Sequence, residues 1–123
     1  MKIEVSNGEI IDKLTILQIK LERIKDKAKQ ANLRKEYEEL IKDAASVLST
    51  EDTLYRSLYD VNCELWDIED HIRDLERKKD FGEDFIATAR AVYIKNDRRS
   101  ELKREINIKT SSGLMEEKSH EKY

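Results

Sequence analysis

Not one proline and only three glycines, Gly8, Gly82 and Gly113, punctuate this chain of 123 residues. An all-β domain turns every few residues and draws on Gly and Pro to do so. A doubly wound α/β domain needs the same chemistry at each junction of strand and helix. Three glycines cannot supply either, so the chain is restricted to an all-α fold of few, long elements. Charged residues make up 41% of it, a level also met in disordered chains, but here the apolar residues are strictly spaced. The length is that of one domain.

Ser6-Asn7-Gly8-Glu9 reads as a capping box, a serine N-cap with a glutamate three residues on, after a short extended arm at Ile3, Glu4 and Val5. Ile10, Leu14, Leu17, Leu21, Ile24 and Ala28 follow in steps of four and three, a heptad seam that predicts a helix over 7–25. The seam lapses near Asp26, a fair N-cap, and a new register starts with Leu33, Tyr37, Leu40, Ala44 and Val47. A hairpin there lets the two seams bury each other, giving a second helix over 27–48. The cleanest seam is Leu54, Leu58, Val61, Leu65, Ile68, Ile72 and Leu75, on a third helix over 51–79 that Gly82 is expected to stop. A further apolar face runs through Phe85, Ile86, Ala89, Val92 and Tyr93, with a break expected at Asn96-Asp97. The expected fold is therefore all-α, an antiparallel long-helix hairpin or a bundle of four to five helices with coiled-coil-like heptad seams. One domain spans 1–123, with a polar, mobile or wrapping tail from about 110.

Net charge is −3, which gives the whole chain no polyanion-binding signature, so nucleic acid is not an expected partner. The single cysteine, Cys63, excludes an intramolecular disulfide and reads as a packed, inert thiol. No apolar run approaches the length of a signal-peptide core or a membrane span, so a cytoplasmic protein without membrane contact is expected. Residues 90–109 hold seven bases and three acids, net +4. The expected use of that charge is pairing with the acidic helices, within or between chains.

The third helix carries a second stripe, Tyr55, Tyr59, Cys63 and Trp66, about 100° around from its seam by helix geometry. A two-helix coiled coil would leave it wet, so it must meet another helix of the chain or another subunit. Tyr and Trp are enriched in interface cores, which makes Tyr55, Tyr59 and Trp66 candidate interface residues for a homo-oligomer or a protein partner.

Two acidic pairs, Glu36/Glu39 and Glu64/Asp67, sit at the i, i+3 spacing that puts both carboxylates on one side of a helix. The arrangement resembles the metal-binding pattern of the all-α nucleotide pyrophosphohydrolases of the MazG type. That resemblance implies a Mg²⁺ site holding a nucleoside triphosphate. Against it, chance predicts roughly six such pairs in a chain this acidic, and five occur. His71 near Asp67 and Asp70 reads as an ion-pair partner rather than a ligand. No catalytic residue is assigned, and no cofactor is expected apart from Mg²⁺ in that alternative.

Four segments together, Ser6–Leu17, Glu64–Asp70, Asn96-Asp97 leading into Lys103–Asn107, and Glu116–Ser119, resemble a family of small uncharacterised bacterial and phage helical proteins, a domain of unknown function. Its members are often encoded near surface-polysaccharide genes. The resemblance implies a free-standing domain and an accessory role in glycan assembly, and it brings no activity or ligand. The leading expectation is a non-enzymatic helical interaction or oligomerisation module. The alternative is the Mg²⁺-dependent hydrolase.

Overall fold

The computed structural model describes residues 1–117 and 120 and shows four packed helices, with no strand among the described residues. They are α1 (Asn7–Arg23), α2 (Lys27–Val47), α3 (Thr53–Arg77) and α4 (Glu83–Lys109). The chain turns where the sequence signals a turn. Asp26 caps α2, its Oδ1 accepting from the Lys29 N–H at 2.9 Å. The Gln30 amide reaches back to the Leu21 carbonyl (2.7 Å) and to that of Ile24, satisfying acceptors that the end of α1 leaves open. Asp52 caps α3 through the Leu54 N–H at 2.8 Å.

Helix α1 is the centre of the fold and packs against all three others, while α3 and α4 form the most extensive pair. Helix α2 is in close backbone contact with α1 alone. Its Tyr37, Leu40, Ile41 and Val47 reach the common core, which includes Ile11, Leu14, Tyr55, Leu58, Val61, Leu102 and Ile106. Central placement explains why α1 is apolar on more than one side. Off-seam Ile11 and Ile19 are as buried as Leu14 and Leu17, whereas seam residues Ile10, Leu21 and Ile24 are half-buried and Ala28 is exposed. A helix surrounded on three sides cannot keep a two-stranded seam.

Two local expectations are corrected. The break at Asn96-Asp97 does not exist, because α4 runs unbroken through both. Asn and Asp each disfavour helix interior by only about 0.6 kcal/mol, and packing of Leu102 and Ile106 on one side and Thr88 on the other outweighs that. Nor does Gly82 stop α3. Lys79 takes the left-handed conformation there (φ 54°), with the Asp80 N–H reaching back to the Leu75 carbonyl at 2.9 Å. Gly82 instead caps the start of α4.

Past the contact between Arg23 and Asp67 (2.5 Å), α1 has ended while α3 runs on to Arg77. The remaining ten residues extend about 15 Å, with α4 returning beside them. The α3–α4 hairpin thus projects beyond the α1–α2 hairpin.

Candidate functional site

The densest polar constellation lies where the start of α1 meets the end of α4. The first three N–H groups of a helix have no partner inside it. Here each is taken by a side chain: Asn7 N–H donates to Ser112 Oγ (3.0 Å), Gly8 N–H to Asn107 Oδ1 (2.6 Å) and Glu9 N–H to Ser6 Oγ (3.2 Å). Only half of the capping box forms, because the Glu9 carboxylate turns to Lys103 Nζ (2.6 Å). Gly8 is where the helices touch. A Cβ there would lie 2.4 Å from the Lys103 carbonyl oxygen.

One turn on, Asp12 is buried, its side chain only 2% exposed. Arg99 holds it with two parallel bonds, Nε to Oδ1 (2.9 Å) and Nη2 to Oδ2 (2.5 Å). Asn62 of α3 donates to Asp12 Oδ1 (3.0 Å) and to Thr15 Oγ1 (2.8 Å), and the Thr15 hydroxyl donates to the Asp12 carbonyl (2.7 Å). The Asp12 carboxylate raises the pKa of the Arg99 guanidinium. No buried side-chain nitrogen or oxygen among the described residues lacks a partner. A fully satisfied network of this kind locks α1, α3 and α4 in one register. It is joined from the tail side by Glu116, whose Oε1 accepts from Ser6 Oγ at 2.7 Å and whose other oxygen lies 3.5 Å from Lys103 Nζ. The Ser6 hydroxyl and, after it, Lys103 hold the Glu116 carboxyl below the usual carboxylate range.

Asp12, Asn62, Arg99 and Asn107 escaped the sequence reading. The available signal was α1 itself: a helix with apolar residues on more than one side leaves no solvent face for Asp12.

The aromatic stripe is taken up inside the chain. Tyr55 is buried and donates its hydroxyl to Gln18 Oε1 (2.5 Å), and Tyr59 donates to the two Glu22 oxygens at 2.7 and 2.9 Å. Burial pushes the Tyr55 hydroxyl pKa well up, and the Glu22 carboxylate does the same for Tyr59. Trp66 is half-buried beneath the Arg23 guanidinium, 5.8 Å from the ring centroid. The stripe therefore seats on α1. Half-buried Cys63 lies on the same face.

The four candidate metal ligands do not come together. Glu36 and Glu39 are exposed on α2, Glu64 pairs with Lys95 of α4, and Asp67 pairs with Arg23. Helices α2 and α3 make no close backbone contact, and no cluster of three or more metal-capable side chains occurs among the described residues. His71 pairs with Asp84 at 2.9 Å.

Five of the seven bases of 90–109 pair with acids of other segments: Lys95 with Glu64, Arg99 with Asp12, Lys103 with Glu9, Arg104 with Glu117 (3.0 Å) and Lys109 with Asp52 (2.5 Å). Large apolar side chains are also open to solvent. Phe81 and Ile86 on the projecting hairpin are 53% and 56% exposed, and Tyr93 and Ile94 continue down α4. No helix is long and apolar enough to cross a membrane among the described residues.

The molecule is thus an all-helical bundle with a structural polar core and an exposed apolar flank. It belongs to the family of unknown function DUF6165, whose model matches residues 1–122. No curated protein and no solved structure matches the chain.

Proposed function

We propose that the protein is a non-catalytic helical module that binds a protein partner through the projecting α3–α4 hairpin. The observation that carries this reading is the exposure of Phe81 and Ile86 on an otherwise well-packed bundle. Large apolar side chains grouped on a surface mark interaction sites more often than chance exposure does. The pairing of the polar core within the chain supports a structural role for it. On the surface that the sequence favoured, Tyr55 is buried and Tyr59 and Trp66 are half-buried against α1, which leaves less of it to a partner and favours α4 as the binding flank. The sequence resemblance sets such proteins beside surface-polysaccharide genes in bacteria and phage, which makes glycan-assembly proteins the first partners to try.

A photoreactive residue in place of Ile86 is expected to give a discrete protein adduct in cells, lost when Phe81→Asp is added. A folded protein that gives no adduct there overturns the reading. A thermal melt with Mg²⁺ and nucleoside triphosphates is expected to be flat. A metal-dependent shift that vanishes in Glu64→Gln would instead favour the hydrolase, to be tested by an assay of hydrolysis.

A further inference from the structure

Residues 20–35 hold seven bases and two acids, a richer excess than that of 90–109. They form the last turn of α1, the turn to α2 and the first half of α2. Of the seven, Arg23 alone has an ion-pair partner among the described residues. Lys27, Arg34 and Lys35 line a shallow open groove on α2 together with Gln30, Ala31 and Glu38.

The opposite charge gathers on the projecting hairpin. Residues 64–84 hold nine acids and four bases. Asp70, Glu76, Asp80 and Glu83 are exposed and make no salt bridge among the described residues, although Asp80 lies near enough to Lys78 to act on it through space. The basic shoulder and the acidic tip lie at the same end of the molecule, since Arg23 meets Asp67 there. Apart from that pair the two patches make no ion pair with each other among the described residues, and α2 and α3 make no close backbone contact.

Their dimensions match. The projection measures about 15 Å, and α2 from Lys27 to Glu38 about 16 Å at 1.5 Å per residue. A step with a basic tread and an acidic riser is complementary to a copy of itself turned by a two-fold axis, and a two-fold interface uses the same patch on both subunits. We propose that two copies of this chain dock reciprocally, the acidic α3–α4 tip of each lying on the α1–α2 shoulder of the other. Glu76, Asp80 and Glu83 face Lys27, Arg34 and Lys35, while Phe81 and Ile86 are covered by Ala28, Ala31 and the aliphatic stems of the bases. The charge sets register and partner choice, and the apolar side chains supply the burial. This rests on the reading of the protein as an interaction module and names its partner as a second copy.

Sedimentation of the full chain tests it. The wild type is expected to dimerise at low salt, with the dissociation constant rising on the order of tenfold or more at 0.5 M salt. K27E/R34E/K35E and E76K/D80K/E83K are each expected to be folded monomers, and their mixture to form a one-to-one heterodimer, because each then offers the other both complementary contacts. A monomeric wild type, a dimer indifferent to either reversal, or a mixture that stays monomeric overturns the proposal. A monomeric wild type that still gives an adduct with another protein at position 86 leaves the interaction module standing and removes only the self-pairing.

Discussion

Arg99 lies across both carboxylate oxygens of Asp12, a residue 87 positions earlier in the chain. The geometry is the bidentate fork that Arg makes best. It is set inside the bundle, with Asn62 as a third partner from α3. The pair therefore specifies which faces of α1 and α4 meet. A buried pair is weak evidence for stability in itself, because desolvation opposes the attraction, but breaking one leaves an uncompensated charge.

Arg99→Met is accordingly expected to destabilise the protein by about 3–5 kcal/mol. Asp12→Leu strands a guanidinium whose side chain is 30% exposed, so its cost is smaller. The double variant is expected to cost less than the sum of the two, by about 1 kcal/mol or more. Urea unfolding of the four proteins closes the cycle. Additive costs would mean that the pair does not act as a unit.

Gly8 inverts the usual helix rule. Gly to Ala inside a helix normally stabilises by about 1 kcal/mol. Here the added methyl meets the Lys103 carbonyl oxygen at 2.4 Å, backbone that cannot rotate away. Gly8→Ala is expected to lower stability by about 1–3 kcal/mol as α1 and α4 separate. Gly82→Ala, whose nearest obstacle is Asp80 Oδ1 at 3.4 Å, serves as the tolerant control. A melting temperature that rises in Gly8→Ala would refute the close approach.

The course of the chain was largely legible in its sequence, and the site was not. Asp26 acts as the cap expected of it because capping is local, a matter of one side chain and an amide three residues on. The α3 seam holds at Leu58, Val61, Leu65 and Leu75 because that helix buries chiefly one face. Asp12 and Arg99 carry no such signature. Each stands among other charges, and only the tertiary path brings them together. The same path seats Tyr55 on Gln18, where spacing alone left a choice between another helix of the chain and a second subunit. Glu36 and Glu64 show the converse: spacing along a helix does not say whether two helices bring their acids together, and here Glu36 and Glu39 lie exposed on α2 while Glu64 and Asp67 pair with Lys95 and Arg23.

Lys79 offers a gain in stability. Its φ of 54° lies in the left-handed region, which disfavours a side chain with a Cβ. Lys79→Gly is expected to stabilise by up to about 1 kcal/mol, the strain relieved exceeding the entropy added to the unfolded chain. Its exposed side chain makes no ion pair among the described residues that would be lost. A melting temperature below that of the wild type would show that the strain is absent.

Stability is expected to fall at both ends of the pH scale. The Asp52 carboxyl is held low by Lys109 and then by the Leu54 N–H, and Glu116 by Ser6 and then Lys103. A carboxyl with a lowered folded pKa contributes stability that is present above its unfolded value, near 4, and lost as the pH drops through the folded value. The cost of Asp52→Asn and Glu116→Gln is thus expected to shrink below about pH 4. Tyr55 and Tyr59 act at the other end. Their folded pKa values are raised, so their contribution is complete below the unfolded value near 10 and is lost as the pH climbs beyond it. Urea midpoints across the scale check both arms. Tyr59→Phe should flatten part of the alkaline loss, since it removes the group that ionises on unfolding. An alkaline slope unchanged in both Tyr55→Phe and Tyr59→Phe would place that loss elsewhere in the chain.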